Sequence, residues 1–179
     1  LIFNVPDNVR ATILMPGMQR GRLPAMSAAQ LLRIPVELVL PAGTRDVELA
    51  LSLEADGAVC GHAVASFLRA DDAQILAAPM DDDVLILVAE TRYHRAVEAA
   101  AALHRDEGPE RAREALIEAA HEIFELAPHA PGVRAVAESL ERRARQFGRR
   151  MSERERKSHH FGSYTAHRSR RSDGSRIKQ

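Results

Sequence analysis

Two periods divide this chain. Up to residue 78, apolar residues recur at every second position in several short runs; from residue 84 they recur every three or four. The first is the period of a strand with one buried face, the second that of an amphipathic helix. Val9, Ala11, Ile13 and Met15 share one face of a predicted strand, which Pro16 and Gly17 end. Residues 18–30, with Gly and Pro breaks and mixed polarity, read as a loop. In 32–40, Ile34, Val36, Leu38 and Leu40 point one way and Glu37 the other. Pro35 inside this run favours an edge position, because proline donates no ladder hydrogen bond. After a turn at 41–44, Val47, Leu49, Leu51 and Leu53 alternate with Asp46, Glu48, Ala50, Ser52 and Glu54. The two runs are expected to form an antiparallel pair with one wet and one buried face. A turn at 55–57 and weaker strands at 62–68 and 74–78 suggest a sandwich or a single covered sheet.

The period changes at 79–83. Pro79 stops the last strand, and Asp81, Asp82 and Asp83 supply an N-cap and favourable charge at a helix start. Leu85, Ala89, Arg92, Ala96, Ala99 and Leu103 then form a stripe that Val88 and Ala100 widen, with Arg92 an edge residue laying its stem on apolar surface. Gly108 ends this helix, and Pro109 opens the next, where a missing N–H costs nothing. Ala112, Leu116, Ala119, Ala120 and Ile123 make its inner face, and Pro128 and Pro131 break it. Val133, Val136, Ala137, Leu140, Ala144 and Phe147 line a third helix up to Gly148. Short connections predict an antiparallel bundle. Beyond it, Ser152 and Glu155 have capping-box spacing, which allows a short further helix. The expected fold class is α+β: an antiparallel β-sandwich-like domain over 1–79, a three-helix bundle over 80–148, and a basic, disordered tail over 149–179.

Composition sharpens this in two ways. The 179 residues are 45% hydrophobic but only 4% aromatic, with no Trp, so the cores must be built from Ala, Leu, Val and Ile. The zero formal net charge hides an asymmetry. From residue 149 onward, ten Lys or Arg face three Asp or Glu, a surplus of seven positive charges that the acidic body offsets. Such a tail binds an acidic partner or folds back on its own body. Cys60 is the single cysteine, so no intrachain disulfide forms, and a reducing, cytoplasmic setting is expected. The longest apolar run, 84–89, is six residues, far short of the roughly 20 of a membrane span. No signal peptide is recognised, and a start at Leu1 without Met suggests a fragment or a processed product.

No group of residues forms a recognisable catalytic cluster. The small-residue spacing from Ala99 through Gly108 to Ala120 resembles one tetratricopeptide hairpin, but a shift of 34 residues brings Arg142 and Gln146 to the Gly108 and Ala112 positions, so no repeat follows. Glu118, His121, Glu122 and Glu125 have metal-ligand spacing on one helix face, yet lack the second His of His-Glu-x-x-His, and an exposed polar face is the plainer reading. His94 and His104 read as surface residues. Cys60 and His62 could share a strand face, but nothing supplies a third member or an oxyanion hole, which leaves Cys60 as a buried or half-buried small residue. The tail carries Arg149, Arg150, Arg154, Arg156, Lys157, Arg168, Arg170, Arg171, Arg176 and Lys178, with Phe161 and Tyr164 between them. These are the candidate contacts to nucleic acid or an acidic partner, set against a solvated terminus.

The order of parts carries one resemblance. It runs from Asn8-Val9-Arg10 and the segment from Ile34 to Gly43, through the helix with Arg92, Arg95 and Ala96 and the Gly108 hairpin, to Ser163-Tyr164 and the run from Arg168 to Ser172. This order resembles the region downstream of the A domain in bacterial von Willebrand factor A proteins. The resemblance implies a β-sandwich and a small helical bundle that follow an α/β domain with a metal-dependent adhesion site. That site uses Asp-x-Ser-x-Ser, which this chain lacks; Asp173-Gly174-Ser175 is the nearest string. No metal ligand carries over and no cofactor is expected. The implied function is a non-catalytic protein-interaction or scaffold module, the accessory half of such a protein. Its partner would be the upstream A domain or another protein, with no membrane. The alternative is binding of nucleic acid or an acidic partner through the basic tail.

Overall fold

The computed structural model describes residues 2–4, 9–15, 32–40, 46–55, 57–149, 152 and 155. Two small antiparallel sheets and a set of helices give an α+β architecture. The chain divides into two compact units, Leu1–Ala25 with Val36–Met80, and Met26–Pro35 with Asp81–Gln179.

The first unit holds strands β1 (Ile2–Asn4), β2 (Arg10–Ile13), β3 (Val36–Val39), β4 (Val47–Ala55) and β5 (Ala58–Phe67). One sheet has the order β1-β4-β5, and the other pairs β2 with β3. The predicted pairing of 32–40 with 47–54 is therefore corrected. β3 takes β2 as its neighbour, with Thr12 opposite Glu37 and Ile13 opposite Val36, while β4 lies between β1 and β5. Local closure decides this. Gly57, at φ +79°, lets the chain reverse at once, and β5 then offers β4 a ladder along its whole length; β3 has only four residues to offer. Pro35 precedes β3 instead of lying within it, as its missing N–H requires. Alternation survives within the strands: Ile13, Val47 and Leu49 are buried, whereas Arg10, Thr12, Glu37 and Glu48 are exposed.

The predicted strand at 74–78 is a helix, α1 (Asp72–Ala77). Asp71 and Gln74 form a reciprocal capping box that nucleates it. The Gln74 N–H donates to Asp71 Oδ1 at 2.8 Å, and the Asp71 N–H donates to Gln74 Oε1 at 2.9 Å.

The second unit contains α2 (Asp82–Asp106), α3 (Pro109–Leu126) and α4 (Pro131–Phe147). Asp81 caps α2, its Oδ1 accepting from the N–H groups of Asp83 and Val84 at 3.0 and 3.1 Å. Pro109 and Pro131 stand in the first turns of α3 and α4, and Gly108, at φ +97°, makes the corner between α2 and α3. The three helices pack on one another around a single core, with Leu116, Ile123, Val97, Val133, Leu140 and Phe147 fully buried. Buried alanines at 89, 100, 112, 120, 137 and 144 allow the helix axes to approach closely. Gly132 lies against Ile86 at one end, and the Phe147 and His104 rings meet edge to face at the other. α2 and α4 therefore run the same way. Gly148 lies against Arg113, so α4 ends beside the start of the oppositely running α3.

The α3 and α4 stripes follow their sequence periods. The α2 stripe does not: its buried positions are Ala89, Thr91, Val97, Ala100, Ala101 and His104, while Ala99 is exposed. Beyond Gly148, the Ser152 N–H donates to Glu155 Oε2 at 2.8 Å and the Glu155 N–H to Ser152 Oγ at 3.3 Å, so the capping box foreseen at that spacing forms.

Candidate functional site

The β4–β5 hairpin is the longest strand pairing of the strand unit and is exposed over much of its length. On one face, Val47 faces Phe67, Leu49 faces Ala65, Leu51 faces Ala63 and Leu53 faces Gly61. Burial fades along this series: Val47 and Leu49 are buried, Leu51 is half-buried and Leu53 is exposed. Val64 is 56% exposed on the other face and Val59, toward the tip, 62%. β5 ends its sheet, and no described strand pairs with its outer edge. Its ten residues contain no Lys, Arg, Asp or Glu. Natural edge strands are usually blunted by such charges, because a free row of N–H and C=O groups recruits a further strand.

A bulge interrupts this hairpin. Leu53 pairs with Gly61 but Glu54 pairs with Val59, which leaves Cys60 as the extra residue. Cys60 is exposed, with its thiol directed at the Leu53 carbonyl at 3.3 Å. The expectation of a buried or half-buried cysteine is thus corrected: the bulge takes it out of the alternation that would have placed it. His62 is exposed opposite Ser52, and nothing among the described residues joins it to Cys60 as a nucleophile and base.

Within the strand unit, exposed apolar side chains also occur past the strand end at Leu68, which is 78% exposed, and at Ile75 and Met80. Across the described residues, no group of three or more His, Cys, Asp or Glu side chains is placed to hold a metal ion. Glu118, His121, Glu122 and Glu125 all lie exposed along the outer side of α3.

His104 is corrected from a surface residue to a buried one, 6% exposed. It falls on the stripe of Val97, Ala100 and Ala101, and its ring packs against Phe147. Nε2 lies 2.9 Å from the Arg149 carbonyl, an acceptor, which assigns the ring proton to Nε2. Nδ1 is left buried without a partner. This contact fastens the chain leaving α4 to the end of α2, and no sequence motif announced it.

Of the basic candidates, Arg149 is exposed and pairs with Glu155 at 3.2 Å. Arg150, Arg154, Arg156, Lys157, Arg168, Arg170, Arg171, Arg176 and Lys178 lie outside the described residues, as do Phe161 and Tyr164. On the helices, Arg111 hydrogen-bonds Glu114 at 2.8 Å, which raises its already high pKa, and the bond from Arg105 holds the Asp106 carboxyl below its ordinary range. No described helix is long and apolar enough to cross a membrane. The chain matches no family model, no curated protein and no solved structure.

Proposed function

We propose that this chain is a non-catalytic protein-interaction module that adds a partner's strand to the outer edge of β5. The observation that carries this reading is the edge itself: ten uncharged residues, their outer edge unpaired among the described strands, with Val59 and Val64 exposed among them. Strand addition draws affinity from main-chain hydrogen bonds and selectivity from alternate side chains, and this edge offers both. The reading includes a sandwich-like arrangement of the two sheets, a three-helix bundle, and a place beside the A domain of a bacterial von Willebrand factor A protein, on the order of parts described above. A cytoplasmic setting suits the free, exposed thiol of Cys60.

A photo-crosslinking residue at Val64 tests this in the native host. It is expected to capture one polypeptide carrying an A-type domain, while the same probe at exposed Arg145 on α4 captures none. Equal capture at both positions, or none at Val64, would sink the reading. The second reading, binding of nucleic acid or an acidic partner, is favoured by the seven surplus positive charges after residue 148. It predicts binding to single-stranded DNA that falls steeply with salt and disappears when the chain is cut before Arg149.

A further inference from the structure

We propose that the strand accepted by the outer edge of β5 is amphipathic, with bulky apolar residues at alternate positions and Lys or Arg between them. This inference rests on the strand-edge reading and specifies the side chains that the edge selects.

One face of the hairpin leaves room for a bulky neighbour. β4 places Leu49, Leu51 and Leu53 on it, whereas the β5 residues opposite them are Ala65, Ala63 and Gly61. Large side chains thus stand one strand in from the margin, and small ones stand on it. Leu53 lies over Gly61: a Cβ added to the glycine would be 3.5 Å from Leu53 Cβ and 3.9 Å from its Cδ2. Leu49 is already buried, but Leu51 is half-buried and Leu53 is 37% exposed. The open stretch therefore lies beside Ala63 and Gly61, where β5 offers at most a methyl group to cover the leucines. A small edge residue, glycine above all, is compensated by a large neighbour on the adjoining strand. A bulky apolar residue opposite Gly61 or Ala63 would close over it onto Leu53 and Leu51 and take that apolar surface out of water.

The other face sorts partners by charge. Glu48 lies opposite Ser66 and Glu54 opposite Val59, and both carboxylates are exposed. β5 brings no charge of its own to offset them. An added strand would run about 10 Å from β4, two strand spacings away. A Lys or Arg on it can reach across the small Ser66 toward Glu48, with its stem on β5 and its charge in water. Each such exposed pair adds little affinity, but an acidic strand in the same place meets like charge and is rejected. The bulge at Cys60 sets the length. The uninterrupted register runs from Gly61 to Phe67, so a segment of about seven residues fits.

Fluorescence anisotropy of labelled peptides titrated with the full chain, paired with hydrogen exchange of β5, tests the proposal. The probe is Lys-Ile-Lys-Ile-Lys-Ile-Lys. One comparison peptide has Glu in place of every Lys, and a second has Thr in place of every Ile, which keeps the β-propensity. The probe should bind about tenfold more tightly than either and slow exchange of the β5 amides. Gly61→Val, which fills the space beside Leu53, should weaken the probe about tenfold, and Leu53→Ala should weaken it in the same direction. Glu48→Gln combined with Glu54→Gln should erase the preference for Lys over Glu and keep that for Ile over Thr. Equal binding of all three peptides, each protecting β5, would overturn this inference and leave the strand-edge reading standing. So would a probe affinity that neither Gly61→Val nor Leu53→Ala changes while β5 is protected. Absence of β5 protection by every peptide would overturn both.

Discussion

His104 shows how a single position can belong to the core and still look like surface. Histidine is ambivalent in burial, and only its spacing from Val97 and Ala100 marks it as an inner residue. That mark is faint because α2 is apolar on several sides: Leu85, Ile86, Leu87 and Val88 follow one another, so more than one stripe can be drawn. Gly132 offers a sharper test of packing. A Cβ added there would lie 2.6 Å from Ile86 Cγ1. Gly132→Ala should therefore destabilise the chain by about 1 kcal/mol, the overpacking cost exceeding the gain in helix propensity. In an Ile86→Ala background, the same change should stabilise by a few tenths of a kcal/mol, because only the propensity gain remains. Urea unfolding of the four proteins measures this cycle; a cost that persists without the Ile86 side chain would refute the assigned contact.

At the scale of elements, periodicity reports type more faithfully than partnership. α3 and α4 are legible because their buried residues, Ala112, Leu116, Ala120 and Ile123, then Val133, Ala137, Leu140 and Ala144, recur every three or four positions among charged ones. The pairing of β3 with β2 is not legible, since an alternating strand fits any alternating neighbour. α1 was hidden for a different reason. Its apolar run is too short to show a period, and its signal lies in the Asp71–Gln74 capping box. Asp71→Ala should remove about 1 kcal/mol of local stability from α1. Hydrogen exchange should then accelerate at the Ile75 and Ala78 amides while those of α3 stay protected, and unchanged exchange at Ile75 would contradict the capping role. The β5 edge illustrates a further limit. An uncharged strand is visible in the sequence, but its place at the margin of a sheet is set by topology alone.

Across the whole molecule, buried apolar surface is shared unequally. The helical unit has a continuous core of buried residues from Ala89 to Phe147. In the strand unit, the described buried side chains are Val9, Ile13, Met15, Val47 and Leu49, while Leu53, Val59, Val64, Leu68, Ile75 and Met80 are exposed. Stability tracks apolar area removed from water, so the units should open at different free energies. Rising urea should release the amides of β4 and β5 before those of α3 and α4, as followed by hydrogen exchange with mass spectrometry. Simultaneous release would show the two units to be one cooperative body. The charge asymmetry belongs to this scale as well, and it was fully legible, because counting charges requires no fold. Which carboxylates are ion-paired was not legible, because that depends on how Arg105, Arg111, Arg113 and Arg142 are placed.

The extra residue at Cys60 has a consequence for how the molecule avoids uncontrolled growth. A long, flat, uncharged edge is a template on which strand after strand can stack into fibres. A bulge bends the strand that carries it and increases its twist, so a straight strand laid against Ala63 and Val64 would be expected to lose register before it reached Val59. If a partner strand is added there, the bulge would limit its length and hinder the growth of a fibril. Deleting Cys60 would restore a regular ladder and, with it, the hazard.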